Sequence, residues 1–173
     1  FWELRDGSFL KYQDATMVKQ PEARPADVGP TERWVQARIT WGYLVAMEGD
    51  TPAYVSAMSP GADGIRSAGH STKAGKHVIG WKLLASDMSG REGGKDWFVD
   101  EVPWAQYYFG NFAVHGAWWH NDFGRPYSHG CVNLPPNAAR FLFGWMEPLM
   151  PQDWFAVTSV YPRTKGTVVQ ITH

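Results

Sequence analysis

The chain has 173 residues, a hydrophobic fraction of 44% and ten tryptophans. These values exclude a disordered protein, because disordered chains lack the apolar surface that offsets chain entropy. The formal net charge of -1, without a run of Lys and Arg, excludes the basic footprint of a nucleic-acid-binding protein. No apolar stretch approaches the roughly 20 residues that a membrane helix needs, so we predict one folded domain with short extensions.

The first 32 residues differ in composition from the rest. Prolines concentrate between Pro21 and Pro30, and such a run favours an extended connector. We therefore interpret residues 1–32 as an N-terminal extension with a Pro-rich linker, residues 33–161 as the main domain and residues 162–173 as a C-terminal tail. Because the chain begins at Phe1 with neither an initiator Met nor an export signal, we expect a processed or trimmed start.

From Arg33 onward, short runs of β-branched and aromatic residues separated by turn residues predict a mainly β domain. The predicted strands are residues 34–40, 43–47, 53–58, 77–84, 97–102, 112–115 and 154–160, with residues 48–50 turning the second and third into a hairpin. The Gly- and Ser-rich residues 61–75 predict a loop. A helix is predicted at residues 136–146, because proline suits its first turn and Pro148 follows its end.

Residues 115–134 concentrate the groups that can do chemistry, since they contain three of the six histidines and the single cysteine. A thiol with an ordinary pKa of about 8.5 is mostly protonated at neutral pH, so a nucleophilic cysteine needs a basic partner or a positive local field. Either His115 or His129 can serve as that partner for Cys131. An extended segment would place His129 and Cys131 on one face, whereas His115 must arrive by folding.

Gly130 suggests how such a site would stabilise negative charge. Without a side chain, it allows the backbone amides of residues 130 and 131 to converge on an acyl oxygen, as an oxyanion hole requires. The helix predicted after Cys131 would add a favourable field for a thiolate. The segment therefore predicts acyl transfer through a thioester, a reaction for which we expect no metal or organic cofactor.

A specific resemblance rests on this segment. The motif Ser-His-Gly-Cys-Val-Asn at residues 128–133, with His115-Gly116 before it, resembles the signature of the L,D-transpeptidase catalytic domain, the YkuD-like family. Residues 32–49 resemble the opening hairpin of that family, and the resemblance covers residues 32–160. Two positions depart from the family pattern. Asn133 stands where many members have Arg, which leaves open the substrate group held there, and Thr72-Lys73 replaces Thr-Pro in a turn.

The resemblance implies a β-sandwich-like fold with one principal helix after the cysteine, and a cysteine acyltransferase of the bacterial cell wall. Such enzymes attack a peptidoglycan stem peptide at the carbonyl before the terminal D-Ala and pass the acyl group to an amine. Carried over by position, Cys131 is the nucleophile, His115 the base, and the Gly116 carbonyl orients the imidazole. The residues implied to line the acyl site are Ser128, His129, Gly130 and Asn133.

The resemblance also implies partners and a location. The donor would be a peptidoglycan stem peptide, and the acceptor another stem amine, a lipoprotein lysine or, in an L,D-carboxypeptidase, water. Carbapenems would acylate Cys131, because an activated thiolate attacks a strained β-lactam carbonyl. The enzyme would act outside the cytoplasmic membrane, in the periplasm or cell wall.

Several side chains have two interpretations. Tyr107 and Tyr108 precede His115 on a predicted strand, where one would face the core and the other outward. Either hydroxyl is a candidate to assist the site, and Tyr108 is included among the candidate substrate-binding residues. Trp118 and Trp119 suit packing at the core or rim, with Trp118 retained as a candidate cleft wall.

The functions of several polar side chains also have more than one interpretation. Arg125 and Asn133 are candidates for binding a substrate carboxylate or amide. His129 is interpreted either as a structural histidine bonded to carbonyls or as an acid-base group. We interpret His120 and Asp122 as surface groups outside the catalytic set, with a contribution to substrate binding as the alternative.

Two other classes of function compete with the acyltransferase. A zinc hydrolase would use ligand-type residues of the same segment, but paired ligands at tight spacing are missing. The candidate ligands are His115, His120, Asp122, His129 and Cys131. A non-catalytic wall-binding module would account for the aromatic content of 15% but not for a Cys-His pair.

Overall fold

The computed structural model describes residues 1–11, 14–15, 17–19, 21–62, 71–92, 94–160 and 165–173. Its elements are β1 (Trp2–Glu3), β2 (Phe9–Leu10), β3 (Arg33–Arg38), β4 (Tyr43–Glu48), β5 (Thr51–Ala57), β6 (Gly75–Val78), β7 (Trp81–Glu92), β8 (Lys95–Phe109), β9 (Phe112–Gly116), β10 (Val132–Leu134), α1 (Pro136–Trp145), β11 (Ala156–Thr158) and β12 (Val168–Thr172). The prediction of a mainly β protein is confirmed. None of the helical structure in these residues is long and apolar enough to cross a bilayer.

The strands form two five-stranded sheets. The first has the order β10-β9-β8-β7-β11 and the second β5-β4-β3-β12-β6, while β1 and β2 form a separate ribbon. The main core draws on both sheets and on α1, as in Val35 of β3, Val114 of β9 and Leu142 of α1, which are all fully buried. The sheets therefore pack through a shared apolar layer, and the first sheet carries the residues of interest.

The Pro-rich segment lies against the second sheet. Val28 packs in a small core cluster with Trp34 and Val45, and the backbone N–H of Glu22 donates to Gln36 at 3.1 Å. This covers the face of β3 and β4 that points away from the main core. Both strands are consequently buried on two faces, which explains their nearly continuous apolar sequence.

β7 and β8 form a long antiparallel hairpin. The pairing of β8 with β9 reaches only from Gln106 to Phe109. Residues 87–92 and 94–102 therefore form an arm that extends past the sheet, called the hairpin arm. Gly90 and Trp97 face each other across the arm. A Cβ at Gly90 would lie 2.7 Å from the indole ring, so the glycine allows Trp97 to lie across the strand.

The helix follows the prediction closely, beginning at Pro136 and ending before Met146. Its C-terminal end is held by a side chain from another element. Lys82 of β7 is fully buried, and its Nζ donates to the carbonyls of Phe143, Met146 and Pro148 at 2.6, 2.7 and 2.9 Å. Burial lowers the pKa of Lys82 to about 8, with Glu147 opposing the change. The lysine thus supplies donors that the final turn of a helix lacks.

Three predicted elements need correction. The predicted strand at residues 77–84 is two strands, because the chain passes from the second sheet to the first at Ile79, which is fully buried and keeps the run apolar. The predicted tail at residues 162–173 contains β12, which pairs with both β3 and β6. The strand predicted at residues 154–160 is limited to β11. Residues 63–70 of the predicted loop lie outside the described residues.

Candidate active site

A parallel pair of strands positions the two principal residues. In the β9–β10 ladder, Asn133 stands opposite His115, and Cys131 immediately precedes the ladder beside Ala113. The Ala113 backbone N–H donates to the Cys131 Sγ at 3.5 Å. Because side chains alternate along a strand, Ala113, His115, Cys131 and Asn133 share one face of the sheet. His115 and Cys131 therefore line the same pocket, as predicted.

His115 has a defined tautomer. Its Nδ1 lies 3.1 Å from the Gly116 carbonyl oxygen, and since a carbonyl only accepts, Nδ1–H is the donor. The remaining nitrogen, Nε2, then carries a lone pair that can take a proton. His115 is only 2% exposed, and this burial lowers its pKa to about 4, with the Gly116 bond opposing. The resting ring is neutral.

Cys131 is partly exposed and is held by β9. Besides accepting from Ala113, its Sγ–H donates to the Asn111 carbonyl at 3.8 Å. Burial raises the pKa of Cys131 to about 11, and the Ala113 amide partly opposes this. The resting nucleophile is therefore a thiol rather than a thiolate, so its proton must leave when a substrate is attacked.

The turn before Cys131 is closed by Ser128. Its Oγ accepts from the Gly130 N–H at 3.0 Å and donates to the Cys131 carbonyl at 2.5 Å. The Gly130 amide, predicted as an oxyanion donor, thus donates to the Ser128 hydroxyl in the free protein, and its oxyanion role stays a prediction. Gly130 has a positive φ of 122°, and a Cβ there would lie 2.2 Å from Phe112. Glycine is required here by backbone conformation and by space.

Two pockets meet at Cys131. The cavity volume is about 70 Å³ for the first and about 300 Å³ for the second. The first is lined by Met88, Trp97, Val99, Val102, His115, Trp119, Tyr127, Ser128, His129, Cys131 and Asn133. The second is lined by Asp87, Met88, Ser89, Trp97, Tyr107, Asn111, Phe112, His129 and Cys131. A molecule in either pocket would therefore lie beside the sulfur.

A ring stack forms part of the boundary between the pockets. The His129 imidazole lies against the Trp97 indole with 4.2 Å between ring centroids and 10° between planes. Trp97 belongs to the hairpin arm and His129 to the turn before Cys131, so the stack connects these two segments. Both residues line both pockets. This gives His129 a structural role, and its predicted acid-base role stays a prediction.

The β8–β9 register shows which of the two tyrosines faces the pocket. Tyr107 pairs with Ala113, and it lines the second pocket, where its hydroxyl bonds Ser86 at 2.8 Å. Tyr108 points into the main core, and its hydroxyl has no hydrogen-bond partner within the described residues. Burial raises the pKa of Tyr108, and Cys131 adds to the shift. The pocket-facing tyrosine is therefore Tyr107 instead of Tyr108.

Two other predicted residues lie apart from the first pocket. Trp118 is 64% exposed and meets Trp119 edge to face, with ring centroids 5.7 Å apart. Trp119, rather than Trp118, lines the first pocket and stacks on His115 at 5.9 Å. Arg125 is exposed and lines a different pocket with Tyr43. Sequence spacing alone could not separate these positions, because they lie on the irregular connection between β9 and β10.

His120, predicted to lie outside the catalytic set, contacts a residue that lines the first pocket. Its imidazole Nε2 lies 3.1 Å from the Asn133 side-chain amide, and its ring stacks on Tyr127 with centroids 3.9 Å apart. Its position in the segment dense with histidines was the available signal. In the described part of the chain, no group of three or more His, Cys, Asp and Glu side chains is placed to hold a metal ion. The zinc alternative therefore has no ligand set among those residues.

The sequence model of the L,D-transpeptidase catalytic domain, YkuD, matches residues 32–171. The chain belongs to this family. No curated protein shows significant similarity to it. Solved structures do: an L,D-transpeptidase from Mycobacterium smegmatis shares 18% identity over 82% of this chain, with a TM-score of 0.61. L,D-transpeptidase 3 from Mycobacterium tuberculosis, in complex with a faropenem-derived adduct, shares 15% identity over 84%, with a TM-score of 0.62.

The extent of these matches defines what they establish. This chain spans 59% of the M. smegmatis structure and 61% of the M. tuberculosis one. It spans 98% of the catalytic domain from the Enterococcus faecium L,D-transpeptidase, at 17% identity over 82% of this chain and a TM-score of 0.61. At such identities the likeness shows the fold, and the predicted β-sandwich-like transpeptidase fold is confirmed. The match to residue 171 also includes β12, within the predicted tail.

Proposed function

We propose that this domain is a peptidoglycan L,D-transpeptidase in which Cys131 is the nucleophile and His115 the general base. The observation that supports this most directly is the β9–β10 register, which sets both side chains on one face beside one pocket. The bond from His115 Nδ1–H to the Gly116 carbonyl adds support, because it leaves Nε2 able to accept a proton.

Acylation would begin with the Cys131 sulfur attacking the stem-peptide carbonyl that precedes the terminal D-Ala. As the carbon–sulfur bond forms, His115 Nε2 takes the thiol proton and the carbonyl electron pair moves to oxygen. Backbone N–H groups stabilise this oxyanion, and the candidates are the Cys131 amide and the Gly130 amide once the Ser128 hydroxyl releases it. Collapse breaks the carbon–nitrogen bond, the proton passes from His115 to the leaving amine, and a thioester remains.

In the acyl-transfer step, the sulfur of Cys131 becomes the leaving group. An acceptor amine attacks the thioester carbonyl, His115 takes the amine proton, and the sulfur leaves and recovers a proton from His115. Two pockets that share Cys131 suit such a reaction, because the acyl donor and the acceptor must reach the same sulfur in turn. A lipoprotein lysine would act as the same kind of amine, and water as acceptor would make the enzyme an L,D-carboxypeptidase.

The inhibitors and the location follow from the same proposal. The M. tuberculosis structure contains a faropenem-derived adduct, and another solved relative, LdtMt1, is in complex with imipenem. We expect carbapenems to acylate Cys131 by the chemistry given above. Since peptidoglycan lies outside the cytoplasmic membrane, we place the enzyme in the periplasm or cell wall.

The test is mass spectrometry of the protein incubated with a tetrapeptide stem and, separately, with a carbapenem. We expect a covalent adduct on wild type, none on Cys131→Ala, and a strongly reduced rate of adduct formation on His115→Gln. His173→Gln is a matched control, because His173 is exposed and outside both pockets. An adduct that persists in Cys131→Ala would refute the assignment of the nucleophile. Product analysis with an added stem acceptor then separates cross-linking from hydrolysis.

A further inference from the structure

The two pockets that meet at Cys131 differ in charge. Among the described residues, the lining of the first pocket contains no Lys, Arg, Asp or Glu. Within the same part of the chain, the lining of the second pocket contains one such residue, Asp87. The cavity of the second pocket, at about 300 Å³, is also the larger of the two. The larger pocket therefore presents a carboxylate to a molecule that enters it.

An irregularity in the hairpin arm places Asp87 on the pocket wall. The register between β7 and β8 shifts between Ser86 and Met88, and Asp87 lies at this shift. In a regular strand, neighbouring side chains point to opposite faces, yet Asp87 and Met88 both line the second pocket. β-Bulges redirect side chains beside active sites in this way. The shift in register thus accounts for a charged residue on this wall.

The carboxylate of Asp87 is held by the opposite strand. The Glu101 backbone N–H donates to its Oδ1 at 3.0 Å. This hydrogen bond holds the pKa of Asp87 below its ordinary value, and a hydrogen bond with the Asp100 side chain adds to the shift. Asp87 is exposed whereas Cys131 is half-buried, so the carboxylate lies nearer the solvent than the sulfur does. Asp87 is therefore a positioned anion at the entrance of the second pocket.

A carboxylate at this entrance favours cationic molecules. Clefts lined by one sign of charge concentrate molecules of the opposite sign and raise their association rates. The acyl acceptors considered for this enzyme differ in charge, because a stem amine or a lysine side chain is mainly an ammonium ion at neutral pH and water is neutral. An ammonium ion attracted by Asp87 enters the cavity that Cys131 also lines. It must then lose a proton to solvent before the free amine attacks.

We infer that Asp87 selects ammonium-bearing acyl acceptors by attracting them into the second pocket, and that it thereby favours transfer to an amine over hydrolysis. This role depends on the proposed function, which supplies the thioester that the amine attacks. Asp87 is a specificity-determining residue rather than a catalytic one, because the proton of the attacking amine still passes to His115. The second pocket is accordingly the one that receives the acyl acceptor.

The test compares two neutralised aspartates. Asp87→Asn keeps an oxygen that can accept from the Glu101 N–H but removes the negative charge. Asp96→Asn is the matched control, because Asp96 is an exposed residue of the hairpin arm, 3.8 Å from Arg91, and lines neither pocket. The enzyme is incubated with a tetrapeptide donor and an amine acceptor, which is either a second stem peptide or Nα-acetyl-lysine amide.

The measured quantity is the ratio of transferred to hydrolysed product at a fixed acceptor concentration. This ratio does not depend on how fast the acyl-enzyme forms, so it reports on the acceptor alone. We expect Asp87→Asn to lower the ratio about fivefold, as for loss of an exposed ion pair, and Asp96→Asn to leave it near wild type. An unchanged ratio in Asp87→Asn would overturn the inference.

A neutral nucleophile separates the charge of Asp87 from its structural role. Methoxyamine is uncharged at neutral pH, so its product ratio should change much less in Asp87→Asn than the ratio for the ammonium acceptor. Added salt should lower the ratio for the ammonium acceptor in wild type more than in Asp87→Asn, since salt screens exposed charges. Equal losses with both nucleophiles would overturn the inference and indicate that Asp87 acts through the shape of the hairpin arm.

Failure of the proposed function has a different signature from failure of this role. If the proposed function is wrong, wild type forms no covalent adduct with a stem peptide in mass spectra. If wild type forms the adduct on Cys131 but yields only hydrolysed product with either amine, the selection of ammonium acceptors by Asp87 is refuted and the nucleophile assignment is retained.

Discussion

The ionisation of Cys131 can be tested by raising the pH. With a pKa of about 11, the thiol should be about one part in ten thousand ionised at pH 7, since each pKa unit is a factor of ten. Forming the thiolate at pH 7 then costs about 5 kcal/mol. Moving its proton to His115 adds a further cost, since burial lowers the pKa of that imidazole to about 4 and so disfavours its charged form as well. A thiolate–imidazolium pair should therefore not be stored in the free enzyme.

The assay is the thiolate absorbance near 240 nm, read against pH with Cys131→Ala as the blank. We expect one rise centred near pH 11 and none between pH 5 and 9. The same rise should appear in His115→Gln, because the neutral imidazole does not stabilise the resting thiolate. Thiolate absorbance at pH 7 in wild type, lost in His115→Gln, would refute this reasoning and indicate a preformed ion pair.

Three further predictions concern stability and the pocket. Lys82→Met removes the donor to three carbonyls and should lower the free energy of unfolding by about 3 kcal/mol or more in urea titrations. The control Lys76→Met, at an exposed position, should lower it by less than about 1 kcal/mol. Equal losses in the two variants would contradict the role assigned to Lys82. Gly130→Ala should abolish acylation and destabilise the turn, as measured by adduct yield and melting temperature. Trp97→Leu removes the stack on His129 and should broaden His129 resonances in NMR spectra; an unchanged spectrum would argue against a connection through this stack.

The pKa of His115 also predicts how stability depends on pH. In the unfolded chain its pKa returns to about 6.5, so between pH 6.5 and 4 the unfolded state binds a proton that the folded state does not. The free energy of unfolding should then fall by about 3 kcal/mol as the pH drops through this window. His115→Gln should remove this part of the pH dependence in urea titrations. A curve that is the same in both proteins would contradict the assigned burial of the imidazole.

The local sequence pattern was sufficient to predict the helices and strands that lie within a single layer of the fold. The helix at Pro136–Trp145 and the hairpin of β4 and β5 were predicted because proline positions and turn residues mark their ends. The passage from β6 to β7 could not be predicted, since Ile79 is buried in the core between the sheets and keeps the run apolar. β12 was missed because its pairing with β3 is long-range.

The motif identified the reacting residues but not their surroundings. Cys131 and His115 could be named from their chemistry and from the family resemblance. The choice of Tyr107 over Tyr108 depended on strand register, and the bond that occupies the Gly130 amide depended on the rotamer of Ser128. His120 was predicted to be a surface group because the sequence of an irregular connection does not show which side chains it brings together, here His120 and Asn133. These features follow from three-dimensional packing.

The parallel pairing of β9 and β10 has an evolutionary consequence. Parallel neighbours must be joined by a long crossover, here residues 117–131, and the main-chain ladder that begins at Val132 fixes the end of this crossover, where Cys131 lies, beside the strand of His115. Much of the pocket wall on that side, including Trp119 and Tyr127, belongs to the crossover. Insertions or replacements in residues 117–127, before the turn that carries Cys131, can change which molecules are admitted while the chemistry is preserved. Natural selection or protein engineering could therefore change the substrates of this fold by changing a single connection.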